Sequence, residues 1–129
     1  MKKVVLVGHC GPDSSYLRMA VQRAARDAVI SMADDDKHLA EILDAGADLL
    51  LVNRTLDYGF ADESGVALIA KLRAAHPNLR AMLVSNYPDA QAEAIASGAL
   101  PGFGKRELGT PRVAEIIRGA LGTGATAAT

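Results

Sequence analysis

The residues in this chain that could do chemistry cluster where apolar runs end. Gly8-His9-Cys10-Gly11 follows Val4 to Val7, Asn53 ends Leu49-Leu50-Leu51-Val52, Ser85 ends Met82-Leu83-Val84, and Lys105 follows Gly102-Phe103-Gly104. His9 beside Cys10 raises zinc or thiol chemistry. Zinc wants four N or S ligands at characteristic spacing, however, and the other histidines, His38 and His76, fall on separate helical segments. A structural or solvent-facing His9 is the simpler reading. Cys10 near a helix start could be acidified, yet the sequence sets no base beside it. Glycines ahead of a helix could cradle a phosphate on backbone N–H groups. Neither G-x-G-x-x-G nor G-x-x-x-x-G-K-[ST] is present, so Gly8 and Gly11 read as residues that let the chain turn from strand to helix. Asp57, Asp62 and Glu63 could form an acidic site, but acids along an extended loop are ordinarily solvated.

The elements that must position these groups follow from apolar periodicity. Lys3 to Val7 is a short β-branched run closed by Gly8, and reads as an interior strand. Asp13 or Ser14 is a candidate N-cap for a first helix with Tyr16, Leu17, Ala20, Val21 and Ala24 on its inward stripe. Residues 28–32 read as a second strand. Asp34-Asp35-Asp36 opens a second helix with acid at its positive dipole end, Leu39, Ile42 and Leu43 facing inward, and Gly46 ending it. Residues 48–53 form the third strand, and a polar stretch from Arg54 to Asp62 leads to a helix carrying Val66, Leu68, Ile69 and Leu72. A fourth strand over 79–84, a short Ala-rich helix over 88–97, and a fifth strand over 99–103 broken by Pro101 and Gly102 follow. The last helix spans 108–121, with Val113, Ile116, Ile117 and Leu121 inward.

Strands alternating with helices through short connections predict a parallel α/β sheet with helices on both faces. At 129 residues the chain fits one domain over residues 1–121, with 122–129 a poorly packed tail. Aromatics are 4% of the sequence, so the core must be built from Ala, Val, Leu and Ile. Lys and Arg number 14 against 15 Asp and Glu, which gives no electrostatic footprint for nucleic acid or an anionic membrane. The apolar run after Met1-Lys2-Lys3 is too short for a secretory signal, and no run approaches the roughly 18 apolar residues of a membrane span. One cysteine, Cys10, excludes an intramolecular disulfide and fits a reducing, cytoplasmic setting.

Across about residues 3 to 121 the pattern resembles the receiver domains of two-component response regulators. Ser85 matches the Ser or Thr that closes strand four there, Lys105 matches the lysine after strand five, and Phe103 is the counterpart of the switch aromatic. Ala96-Ser97-Gly98-Ala99 is similar to the family's turn before strand five. The resemblance implies a flavodoxin-like sheet of strand order 2-1-3-4-5. It also places a phosphoacceptor aspartate where this chain has Asn53, and a cation-binding acidic pair where it has Gly8 and His9. Arg106 stands where the family usually has a proline, and the loop after Asn53 is about four residues longer than usual.

Loss of these acids removes linked chemistry. An amide is a poor nucleophile, and Mg²⁺ needs carboxylates to hold it against the transferring phosphoryl group. Acids returned to positions 8 and 9 would offer the metal two ligands. Lys105 has no evident acid to meet, and is expected to point outward or to bond Asn53 and backbone carbonyls.

The resulting expectation is a degenerate receiver acting through protein contacts: no enzyme, no cofactor and no metal. The resemblance implies a contact face on helix four, strand five and helix five, comprising Ala92, Ile95, Ala96, Phe103, Arg106, Arg112 and Arg118, with the arginines giving it positive charge. Its partner would be another signalling protein or a second copy. A binder of small anions or nucleotides using Gly8, Gly11, Ser85 and Lys105, and a regulator phosphorylated at a displaced acid such as Asp57, are the alternatives.

Overall fold

A computed structural model of the protein describes residues 2–56 and 59–122. Its elements run β1 (Lys3–Val7), α1 (Gly11–Ala24), β2 (Val29–Ala33), α2 (Asp36–Ala45), β3 (Leu49–Asn53), α3 (Gly65–Ala75), β4 (Ala81–Val84), α4 (Pro88–Ala96), β5 (Leu100–Phe103) and α5 (Pro111–Leu121), with one 3₁₀ turn (Lys105–Glu107) before α5. The strands form one parallel sheet in the order β2-β1-β3-β4-β5. Successive residues of a strand point to opposite faces. Val4, Leu6, Leu49, Leu51, Met82 and Val84 therefore pack against α1 and α5, while Val5, Val7, Leu50, Val52, Ala81 and Leu83 pack against α2, α3 and α4. A sheet covered on both faces explains why its strands read as unbroken apolar runs.

Helix ends follow local chemistry. Asp35 caps α2 by accepting from the His38 N–H at 2.6 Å, and the Ser64 hydroxyl caps α3 by accepting from the Ala67 N–H at 3.0 Å. α1 departs from expectation: Cys10 is its N-cap, so Asp13 lies in the first turn and Ser14 is buried. Pro12 explains the earlier start, because a first-turn residue needs no N–H partner. Tyr16 is not on the inward stripe but 60% exposed; the buried positions are Leu17, Ala20, Val21 and Ala24, and Tyr16 lies one step off that line. α5 begins at Pro111 rather than at residue 108, because Gly109, at φ +94°, separates it from the 3₁₀ turn.

The β4–β5 pairing is irregular: Met82 pairs with Leu100 and Val84 with Phe103, so β5 carries one residue more than β4 between those pairs. Pro101 brings no N–H there. Gln91 of α4 fills the gap. Its Nε2 donates to the carbonyls of Leu83 at 2.8 Å, Ser85 at 3.1 Å and Phe103 at 3.3 Å, and its Oε1 accepts from the Gly102 N–H at 3.3 Å. The predicted tail, except Gly122, and Asp57 lie outside the described residues. Among the described residues no helix is long and apolar enough to cross a membrane.

Candidate functional site

The carboxyl ends of β3, β4 and β5 bring Asn53, Ser85 and Lys105 together around a cavity of about 210 Å³, with Arg54, Thr55 and Tyr87 completing its wall. Gly8 and His9 are not part of that wall. The Asn53 Nδ2 donates to the Gly8 carbonyl at 3.1 Å and the Thr55 carbonyl at 3.0 Å. Two carbonyls facing one side chain require a donor, which an amide supplies and a carboxylate does not. Asn53 therefore ties the end of β1 to the start of the β3–α3 loop. Nothing in the sequence alone signals this bonding role.

The β3–α3 loop packs against Gly8. Gly8 has φ +73°, and a Cβ built there would lie 2.6 Å from the Leu56 Cδ2, with Phe60 next nearest. Leu56 is buried, and its backbone N–H donates to the Glu63 carbonyl at 2.9 Å. The loop is anchored on α2, where the Asp36 carboxylate accepts from the Ala61 N–H and the Asp36 N–H donates to the Gly59 carbonyl, each at 2.8 Å. Asp62 is not a freely solvated acid, since it pairs with Lys71 at 2.8 Å. An apolar plug thus sits where the resemblance expects a carboxylate. Acids at positions 8 and 9 would not simply regain two metal ligands, because the first would have to displace Leu56. Among the described residues no three His, Cys, Asp or Glu side chains gather at a potential metal position.

Lys105 does meet an acid. Its Nζ lies 2.6 Å from the Asp13 Oδ2, in a pair partly shielded from solvent. The hydrogen bond from Lys105 holds the Asp13 carboxyl below its ordinary range, helped by the Cys10 thiol. Asp13 escaped the sequence reading because it sits in the first turn of α1, not at the tip of β1. Ser85 is buried, and its Oγ accepts from the Tyr87 N–H at 3.1 Å. The Arg54 guanidinium covers the Tyr87 ring at 4.7 Å, forming one rim of the cavity. Arg106 donates its backbone N–H to the Asn86 Oδ1 at 3.0 Å, a bond a proline could not make.

His9 is structural, not solvent-facing: it is 6% exposed and its Nε2 lies 2.8 Å from the Leu51 carbonyl. A carbonyl only accepts, so Nε2 carries the proton and Nδ1, also buried, has no partner. Burial lowers the His9 pKa below the ordinary histidine value, the Lys105 charge adds to this, and the Leu51 hydrogen bond with Asp13 and Asp34 opposes it. The unfolded chain then binds a proton on His9 more readily than the folded one. His9's contribution to stability is complete above about pH 6.5 and is lost as pH falls toward the depressed folded value. Urea unfolding between about pH 7.5 and 5 should show a loss of stability that a His9→Gln variant, whose amide can still donate to Leu51, does not show. Equal slopes for both proteins would remove His9 as the cause.

The face formed by α4, β5 and α5 also differs from expectation. Phe103 is 1% exposed and packed with α1 and α5, and reaches this face only where it lines a cavity there. Its backbone carbonyl accepts from the Ser85 N–H at 2.9 Å. Ala92, Ile95, Ala96, Arg106 and Arg112 are exposed and Arg118 is half-buried. Arg112 pairs with Glu107, so its charge is offset. A cavity of about 440 Å³ opens on this face between Gln91, Ile95, Pro101, Arg106, Glu107 and Arg112.

No protein-family model and no curated protein matches the chain. Solved structures match its fold. The signal receiver domain of a DNA-binding response regulator (merR) from Colwellia psychrerythraea 34H aligns at TM-score 0.73 and 14% identity, over 95% of this chain and 99% of that one. The receiver domain of NtrX from Brucella abortus gives 0.68 and 24%, over 93% and 98%. The beryllofluoride-activated NtrC4 receiver domain dimer gives 0.73 and 17%, over 95% and 98%. The fold is therefore that of response-regulator receiver domains, with the flavodoxin-like strand order that the resemblance implied.

Proposed function

We propose that this chain is a receiver-fold signalling module that acts by protein contact, without aspartyl phosphorylation or Mg²⁺ binding. The observation that carries the reading is the pair of hydrogen bonds from the Asn53 amide to the Gly8 and Thr55 carbonyls. They give the amide a bonding role of its own at the phosphoacceptor position. Leu56 against Gly8 and the Lys105–Asp13 pair support it, since both occupy what phosphorylation chemistry would use. The working surface is the α4–β5–α5 face, where Ile95 and Arg106 border the 440 Å³ cavity, and its occupant is another signalling protein or a second copy. A second reading, a small-anion binder, is favoured by the 210 Å³ cavity between Arg54, Ser85 and Lys105.

Amide NMR titrations with Mg²⁺, then Mg²⁺ with beryllofluoride, then phosphate separate these readings. The contact reading expects no localised shifts near Asn53 in any of them. Shifts with phosphate alone support the anion binder. Mg²⁺-dependent shifts overturn both, and would return attention to a displaced acid such as Asp57.

A further inference from the structure

The two helical layers offer complementary surfaces on opposite faces of the sheet. On one, α1 exposes Tyr16 and Met19, 60% and 51% accessible, and Arg18, Arg23 and Arg26 are exposed along the same stretch. Among the described residues none of these three arginines forms an ion pair. A shallow hollow of about 420 Å³ lies between Met19, Gln22, Arg23 and Arg26. On the other face, a groove of about 300 Å³ separates α2 from α3, with Leu39, Leu43, Leu68 and Leu72 as its floor and Asp36 and Asp44 on its rim. Lys71 also borders it, but its charge is offset by Asp62.

We propose that the α1 face of one copy docks into the α2–α3 groove of another, with Tyr16 and Met19 on the leucine floor and Arg23 and Arg26 against Asp36 and Asp44. Exposed large apolar side chains flanked by unpaired charge of one sign fit an apolar groove rimmed by the other sign. The two surfaces lie on opposite sides of the sheet, so the contact is heterologous. Each added copy leaves one surface of each kind unfilled, and assembly extends instead of stopping at a pair. This contact is separate from the α4–β5–α5 face, and a failure here leaves the proposed function standing.

Sedimentation of the full chain over a concentration series should give a mass average that climbs past two copies at about 30 mM salt and returns to one copy at about 500 mM, where charges are screened. Arg23→Glu with Arg26→Glu, and separately Ala40→Lys with Asp44→Lys, should each abolish the climb. In the first variant both surfaces are acidic, and in the second both are basic. Mixing the two variants should restore association, because each supplies what the other lacks. Met19→Ser should weaken association several-fold at unchanged charge. All substitutions are at exposed positions, and circular dichroism checks that the fold is kept. A chain that stays single at low salt, a mass that levels off at two copies, or growth that survives either reversal alone would overturn the proposal.

Discussion

Asn53→Asp is expected to destabilise the protein at neutral pH and to leave it unphosphorylated. The new carboxyl would face the Gly8 and Thr55 carbonyls that the amide now bonds, turning two hydrogen bonds into two repulsive contacts. Losing both while leaving acceptors partly buried costs about 1–3 kcal/mol. Repulsion between oxygens also raises the pKa of that carboxyl in the folded state above its unfolded value. A group raised in this way stabilises the protein below its unfolded pKa, and that stability is lost as pH rises through the folded one. The deficit against wild type should accordingly shrink as the solution is acidified, the opposite of what a salt-bridged aspartate would show. Chemical denaturation of both proteins at a few pH values reads this directly. A variant as stable as wild type at neutral pH, or one that takes up beryllofluoride with Mg²⁺, would mean that the strand-end site is misread.

Gly8→Asp should do more damage than the residue change suggests. The position holds φ +73°, where a side chain costs about 1–2 kcal/mol. The added Cβ must also displace Leu56 Cδ2, and overpacking of this kind costs about 1–3 kcal/mol. The two together predict a loss of about 2–5 kcal/mol in unfolding free energy. Pairing the change with Leu56→Ala should not rescue it fully, because removing the plug leaves the backbone strain and opens a cavity. Calorimetry on Gly8→Asp/Asn53→Asp should detect no sub-millimolar Mg²⁺ site. Wild-type stability in Gly8→Asp, or a tight Mg²⁺ site in the double variant, would reject the plugged-pocket account.

The fold was legible because the sheet is buried on both faces: its strands read as apolar runs, and Gly8, Gly46 and the Asp34-Asp35-Asp36 run punctuated them. Boundaries slipped at Pro12, which lets α1 start early, and at Gly109, which holds α5 back to Pro111. The candidate site was only half legible. Asn53, Ser85 and Lys105 sit at strand ends, which the order of elements locates. The groups that give them their present roles are elsewhere: Asp13 lies on the first turn of α1 and Leu56 in a loop without periodicity. Phe103 shows the same limit, since a residue can match a family position without its burial being visible in the sequence. Gln91, read only as part of an Ala-rich helix, gave no sign that it bridges two strands.

That bridge bears on how the α4–β5–α5 face can behave. A strand that joined the sheet only by ladder bonds, next to a helix held only by apolar packing, could slide independently of it. Here one amide of α4 is bonded to the carbonyls of Leu83, Ser85 and Phe103 and to the Gly102 N–H. Moving α4 against β5 would break the bonds to Phe103 and Gly102, and moving it against β4 those to Leu83 and Ser85, so the amide ties the helix to both strands. A partner reading this face would meet a fixed template, and its affinity would be set by the shape already present rather than by a lever the domain must throw.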